Sequence, residues 1–403
     1  MAWETKRIKD VVKVNELTLS ESTDQNYEFK YIDIGSINLF KIAETETTTF
    51  LDAPSRARRI VRKNDVVVST VRTYLKAITY IDFEPKDMIA STGFAVMTPQ
   101  KNINPKFLSY AVESDYFIDD VIKNSVGTSY PAINALKLEA LSIILPTLEI
   151  QRKIAAFLDS KTQNIDRRIE LLQKKKERYI ILRKAIINEV VNGDEKDWKI
   201  CRMKDVFSFS KGLSITKADL VETGIPVISY GQIHSKQNKS VEIDDSLIRY
   251  VPESYLATEK NALTEQYDFI FADTSEDLEG CGNNVYVDRN ETLFAGYHTI
   301  ILRNRKHQDN KFLAYLFLSD SWRIQIRKSV CGIKVFSITQ SDLAPVKIRI
   351  PPKAKQKQIV NYLDKKTSAI DSIVEKITKE IDTLKIYRRA LVNEAVTGKL
   401  DIG

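Results

Sequence analysis

The chain has 403 residues, 43% hydrophobic and 29% charged, with a formal net charge of +7. That length supports two or three domains with sizeable cores, and a charge of +7 spread over it does not by itself indicate nucleic-acid binding. Cys201, Cys281 and Cys331 lie too far apart for a disulfide framework or a zinc site, no apolar run reaches membrane-spanning length, and the opening MAWETKRIKD is no signal peptide, so a cytoplasmic protein with no membrane partner is expected.

Residues 1–145 read as a first globular domain. Runs rich in β-branched residues (YIDI, DVVVSTV, KAITYI, FAVMTP) surround one helical stretch at 105–123. This predicts mixed α/β structure with a twisted, largely antiparallel sheet. Residues 146–195 predict one long helix. Pro146 stands ahead of it, no Gly or Pro interrupts it before Gly193, and that glycine suits a left-handed cap. Roughly 40 residues at about 1.5 Å each give a rod of about 60 Å. Leu158, Ile165, Ile169, Leu172, Tyr179 and Ile186, with Thr162, Lys176, Arg183 and Val190 between them, recur at alternating spacings of four and three. That spacing is a coiled-coil seam.

Residues 196–350 and 351–403 then repeat the plan. The second long helix matches the first without a gap, as Gln151/Gln356, Ile154/Ile359, Leu158/Leu363, Asp159/Asp364, Asp166/Asp371, Arg183/Arg388, Asn188/Asn393 and Gly193/Gly398 show. Its seam is Leu363, Ile370, Val374, Ile377, Ile381, Leu384 and Leu391, with Thr367, Arg388 and Ala395 in register. The second globular domain corresponds with gaps. Trp3 matches Trp198, Asp65 matches Asp268, Gly93-Phe94 is read against Gly296-Tyr297, and a helical stretch is expected at 309–328. A repeat of this length decides the fold. The expected architecture is α/β (α+β): two mixed α/β domains separated by two long helices in an antiparallel coiled coil, a pseudo-two-fold internal repeat with neighbouring termini. Two unrelated amphipathic helices, each lying on its own domain, are the alternative.

No catalytic or metal constellation emerges. There is no phosphate-binding GxxxxGK[ST], Val285 voids the dinucleotide match begun by Gly280-Cys281-Gly282, and His234, His298 and His307 lack metal-ligand spacing. The loops that differ between the copies carry hydrogen-bonding side chains of the kind that read base edges. They are Arg72, Thr73, Tyr74, Lys76, Ser129 and Tyr130 in the first domain, and Gln232, Thr274, Ser275, His298 and Lys334 in the second. Arg56, Arg58, Arg59, Arg62 and Lys63 form a basic cluster that suits phosphates, with a solvated surface face as the equal alternative for each.

The doubled pattern of Pro, Gln-x-x-Ile, Leu-Asp and a closing Val-x-Gly (Gln151, Ile154, Leu158-Asp159, Val191, Gly193; Gln356, Ile359, Leu363-Asp364, Val396, Gly398) resembles the specificity subunit of type I restriction–modification enzymes. The family pattern usually has Glu before the Gln, where this chain has Ile150 and Lys355. The resemblance implies two target-recognition domains that each read half of a bipartite site in double-stranded DNA, with the helices setting the spacer. It also implies docking of two methyltransferase subunits and of restriction subunits. S-adenosylmethionine, ATP and Mg would then sit on those partners, with no cofactor and no catalysis on this chain. A coiled-coil scaffold that does not read DNA, or the recognition part of a fused restriction–methylation enzyme, would share the doubled pattern.

Overall fold

A computed structural model describes residues 3–38, 41–42, 45–193, 198–330, 332 and 335–402. The chain forms two compact units, Met1–Gln173 with Thr378–Gly403, and Lys174–Ile377. Each unit therefore holds one mixed α/β domain, part of the long helix that follows it, and part of the other long helix.

In the first unit, two four-stranded sheets carry the domain. One runs in the order Thr47–Thr49, Glu28–Ile32, Met88–Ser91, Ala57–Ile60, and the other Val12–Val14, Phe94–Pro99, Val66–Ser69, Ile78–Tyr80. Pairing is antiparallel except where Met88–Ser91 runs parallel to Glu28–Ile32. Ile32, Val67, Ala90, Phe94 and Val96 fill the core. The helical stretch is broken into α1 (Pro105–Glu113) and α2 (Asp115–Asn124), a departure from the single helix expected. Ser114 causes the break. Its backbone is extended and its hydroxyl accepts from the Phe117 amide, ending one helix and capping the next. Strand Ser142–Leu145 pairs with Glu4–Arg7 and feeds the chain into α3 (Leu148–Val191).

The first turns of α3 are pinned to the domain by polar groups inside an apolar contact. Gln151 is buried; its Oε1 accepts from the Asn104 amide at 2.7 Å and its Nε2 donates to the Pro146 carbonyl at 2.8 Å. One turn on, Ile154 and Leu158 are buried, and the Tyr110 hydroxyl donates to Asp159 at 2.7 Å beside Thr162. The Gln-x-x-Ile-x-x-x-Leu-Asp pattern is thus a docking pattern, since a buried amide or phenol with both partners met costs little and an unmet one costs about 1–3 kcal/mol.

The second unit repeats the plan. Its sheets run Phe207–Lys211, Thr299–Asn304, Phe269–Ala272, Asn284–Tyr286, and Arg249–Val251, Ile225–Ile228, Phe294–Ala295, the last pair parallel. Its helical stretch is likewise two helices, α4 (Asn310–Phe317) and α5 (Asp320–Ser329), parted at Leu318-Ser319. A final helix, α6 (Lys353–Val396), leaves this domain by the same pins. Gln356 accepts from the Asp309 amide at 2.7 Å, and Tyr315 donates to Asp364 at 2.7 Å beside Thr367.

Within each unit the two long helices run antiparallel. In the first, Arg388 donates to Asp166 at 2.9 Å and Arg168 pairs with Glu380, so advancing along α3 means retreating along α6. In the second, Arg183 meets Asp371 at 3.0 Å, while Ile187 and Val191 pack in one cluster with Ile359, Val360 and Leu363. Of the seam residues read from sequence, Leu158, Ile165, Ile169, Leu363, Ile370, Ile377, Ile381 and Leu391 are buried, and Leu172, Tyr179, Ile186, Val374 and Leu384 are half-buried. Next to Ile186, Ile187 is the more deeply buried.

The helix ends meet the entry tryptophans. Trp198 covers Gly193 and Trp3 covers Gly398, where an added Cβ would stand 2.9 and 3.1 Å from the ring. Only Gly398 takes the left-handed conformation expected of both (φ +74°). Gly193 is needed for the closeness of the indole instead.

We expect Ile377→Asp to lower stability by about 2–5 kcal/mol, because it removes a buried side chain and leaves a charge in its place. Urea unfolding measures this; an unchanged midpoint would show that the seam bears no load.

Candidate nucleic-acid interface

The equivalent loop clusters of the two domains are built on one hydrogen-bond frame. The Ile133 amide donates to the Thr70 carbonyl at 2.8 Å, and the Ile338 amide donates to the Asp273 carbonyl at 2.8 Å. The Thr70 amide meets the Gly93 carbonyl at 2.9 Å, and the Asp273 amide meets the His298 carbonyl at 3.0 Å. His298, two residues beyond Gly296, is therefore the counterpart of Gly93, which corrects the pairing of Gly93-Phe94 with Gly296-Tyr297. Gly296 is instead packed under Ser229, where a Cβ would come within 2.0 Å of the hydroxyl. Tyr297 and His298 are thereby lifted out of the buried ladder.

In the first domain the frame brings residues 70–76 against 126–132. Arg72 is exposed, its backbone is left-handed (φ +50°), and its amide is held by the Pro131 carbonyl at 2.8 Å. Its guanidinium lies 4.8 Å over the Tyr130 ring. Tyr130 is 65% exposed and Tyr74 is 53% exposed, with Ser129 also open to solvent. Two aromatic rings so far from the core on tethered loops form a contact surface rather than core. Gly127 makes the loop possible: its φ is +112°, and a Cβ would press on the Tyr130 carbonyl at 3.1 Å. Thr73 is buried and its hydroxyl is shared with Ser125 at 3.1 Å, so it holds the loop. Lys76 leans toward Asp115 at 3.9 Å.

The basic cluster is largely engaged within the fold. Arg62 pairs with Glu16 at 2.6 Å and also donates to Thr98. Arg59 donates to Thr18 at 3.1 Å, and burial pushes its pKa below the ordinary value. Arg58 lies 4.6 Å over the Phe50 ring, Lys63 is exposed but pairs with Glu84 at 3.0 Å, and Arg56 is exposed.

In the second domain, Thr274 is half-buried and donates to Asp273 at 2.7 Å, with His298 Nδ1 3.3 Å away. His298 is exposed and left-handed (φ +55°). Tyr230 and Tyr297 stand edge-on to it with ring centroids 5.4 and 6.2 Å away, a half-buried aromatic group absent from the sequence reading. The runs VISYG and AGYH held the signal. His234 was also passed over as a candidate. Its Nε2 is 2.8 Å from the Thr274 carbonyl and its Nδ1 3.1 Å from Asn283 Nδ2. The Asn283 amide can only donate there, so Nε2–H points at the carbonyl and fixes the Thr274 backbone. Ser275 is buried and bonded to the Asp277 carbonyl, and Gln232 accepts from the Ser229 amide at 3.1 Å; both are occupied inside the loop. Lys334 lies outside the described residues.

Among the described residues, no group of three or more His, Cys, Asp or Glu side chains could hold a metal ion, and no helix is long and apolar enough to cross a membrane. Cys281 is buried, and burial raises its thiol pKa.

The chain is similar to several known proteins. The MjaIX specificity subunit of a type I restriction enzyme from Methanocaldococcus jannaschii is 22% identical, over 99% of this chain and 94% of its own length. The MjaVIII specificity subunit of the same organism is 22% identical, over 79% and 75%. A solved structure described as the basis of complex assembly and conformational transition of the type I R-M system shares the fold, with a TM-score of 0.73, 23% identity, and coverage of 99% of this chain and 98% of that one. The family model for the type I restriction modification DNA specificity domain matches twice, over residues 2–178 and 195–383, and the chain therefore belongs to that family.

Proposed function

We propose that this chain is the DNA-specificity subunit of a type I restriction–modification complex, non-catalytic by itself, with each domain reading one half of a bipartite site. The observation that carries this reading is one frame used twice with different exposed and half-buried groups. Arg72, Tyr74, Ser129 and Tyr130 stand on the first copy, and Thr274, His298, Tyr230 and Tyr297 on the second. Arginine suits guanine O6 and N7 in the major groove, while hydroxyl and imidazole groups serve bases or phosphates. In this reading the long helices set the unread spacer and offer two equivalent docking places for methyltransferase subunits, restriction subunits joining afterwards. Adenine methylation and its S-adenosylmethionine, and cleavage with ATP and Mg, belong to those partners. Flipping of the target base then occurs on a duplex whose register the two domains hold. A scaffold blind to sequence would have no use for two tethered loop clusters of different chemistry.

Arg72→Ala, assayed with the methyltransferase partner, is expected to relax preference in one half-site by about 1–3 kcal/mol and to leave the other half untouched. Arg56→Ala is expected to weaken all duplexes alike and to lower the salt dependence, the mark of a phosphate contact. The stricter test is exchange of residues 1–145 for the corresponding domain of a relative, read out by methylome sequencing. One half of the methylated motif should change; a change in both halves, or in neither, contradicts the assignment.

A further inference from the structure

The internal repeat supplies its own control for one position in the second unit. In the first unit Arg388, a seam residue of α6, is held by two carboxylates: Asp166 at 2.9 Å and Glu113, whose side chain is only 8% exposed. Its counterpart in the second unit, Arg183, has Asp371 at 3.0 Å, but the position of Glu113 is taken by Leu318. One turn into the following helix, Ile118 of the first unit, buried in the core, is replaced by Arg323. Relative to the first copy, then, the second has lost one anion and gained one cation at the same place.

That place is hollow. A cavity of about 270 Å³ is lined by Arg183, Asp371, Leu318, Arg323, Lys239 and Asn283, with Ser240 among the other lining residues. Arg183 is matched by Asp371, and Lys239 by Glu242 at 3.0 Å. Arg323 has neutral partners, donating to Asn283 Oδ1 at 2.9 Å and to the Glu279 carbonyl at 3.4 Å. Among the described residues no carboxylate stands within ion-pair distance of it. Burial and the neighbouring Arg327 push its pKa down to about 10, against the smaller opposing pull of the more distant Glu279 and Asp320 carboxylates. A half-buried cation among hydrogen-bonding side chains, in a space larger than a tetrahedral oxyanion requires, is the complement of an anion.

We propose that this cavity binds a phosphate group, which takes the place that the Glu113 carboxylate fills in the first unit. Arg323 and Arg183 supply the charge, and Lys239 and the Ser240 hydroxyl supply further donors. The group is either free phosphate or a phosphate of bound nucleic acid. The inference does not rest on the sequence-reading role of the loops.

The test is titration of the full chain with inorganic phosphate in phosphate-free buffer, by calorimetry and thermal unfolding. Saturable binding with a rise in Tm is expected. Leu318→Glu restores the missing carboxylate and should weaken phosphate binding at least about tenfold, equivalent to 1.4 kcal/mol. Leu318→Gln, of the same shape without the charge, should keep affinity within about threefold, a smaller change on the same scale. No saturable binding, or equal binding by wild type and Leu318→Glu, overturns the proposal, as does equal loss in both variants. Competition with a duplex in the presence of the methyltransferase partner distinguishes the sources. Phosphate displaces DNA if the site takes a backbone phosphate and leaves it bound if the phosphate is free.

Discussion

The narrow apolar stripe of a 44-residue helix is the constraint on which the rest of this protein depends. A two-sided seam such as Leu158-Thr162-Ile165-Ile169 cannot be buried by the helix itself, and tertiary packing rather than propensity keeps such a helix folded. In the first unit the partner is the last part of α6, where Ile381 and Leu391 are buried; in the second it is the last part of α3, where Ile187 and Val191 are buried. Neither recognition domain is therefore complete with its own helix. Each needs the end of the other, and the tryptophan that opens each domain closes over the glycine that ends the other copy's helix, Trp3 on Gly398 and Trp198 on Gly193.

Charged residues inside this seam fix register more than they stabilise. An ion pair drawn into a partly buried contact gives up most of its Coulomb energy to desolvation, yet removing one partner strands the other. Asp166–Arg388 and Arg183–Asp371 are the same pair made twice, and a slip of one turn would break both. The Gln151 and Gln356 amides act in the same way at the helix starts, where each answers a backbone amide and a carbonyl. The third carboxylate, Glu113, marks where the two copies part company: the second copy has Leu318 there, which lines a polar cavity with Arg183 and Arg323.

Long helices, their seam and the doubling of the domains were legible in the sequence because periodicity and repetition survive over tens of residues. The break at Ser114 was not, since it turns on one hydroxyl that caps the next helix by accepting from the Phe117 amide. The loop frame was legible only in part. Arg72, Tyr130 and His298 were found from chemistry that differs between the copies, while Thr73, Ser275 and Gln232 carry the same chemistry but spend it inside the loop. Tyr230 and Tyr297 were missed because burial, not composition, separates a scaffold tyrosine from a surface one, and the two-residue shift at Gly296 is invisible without the ladder.

In the proposed function, two homologous loop clusters address opposite halves of one DNA site. Photo-crosslinking tests it most directly. A photoreactive phenylalanine analogue is placed at Tyr74 or at Tyr297, and the chain, assembled with its methyltransferase partner, is bound to a duplex carrying the methylated motif. The crosslink from Tyr74 should map to one half of the motif and the crosslink from Tyr297 to the other. Crosslinks from both positions to the same half, or to random flanking sequence, would contradict it.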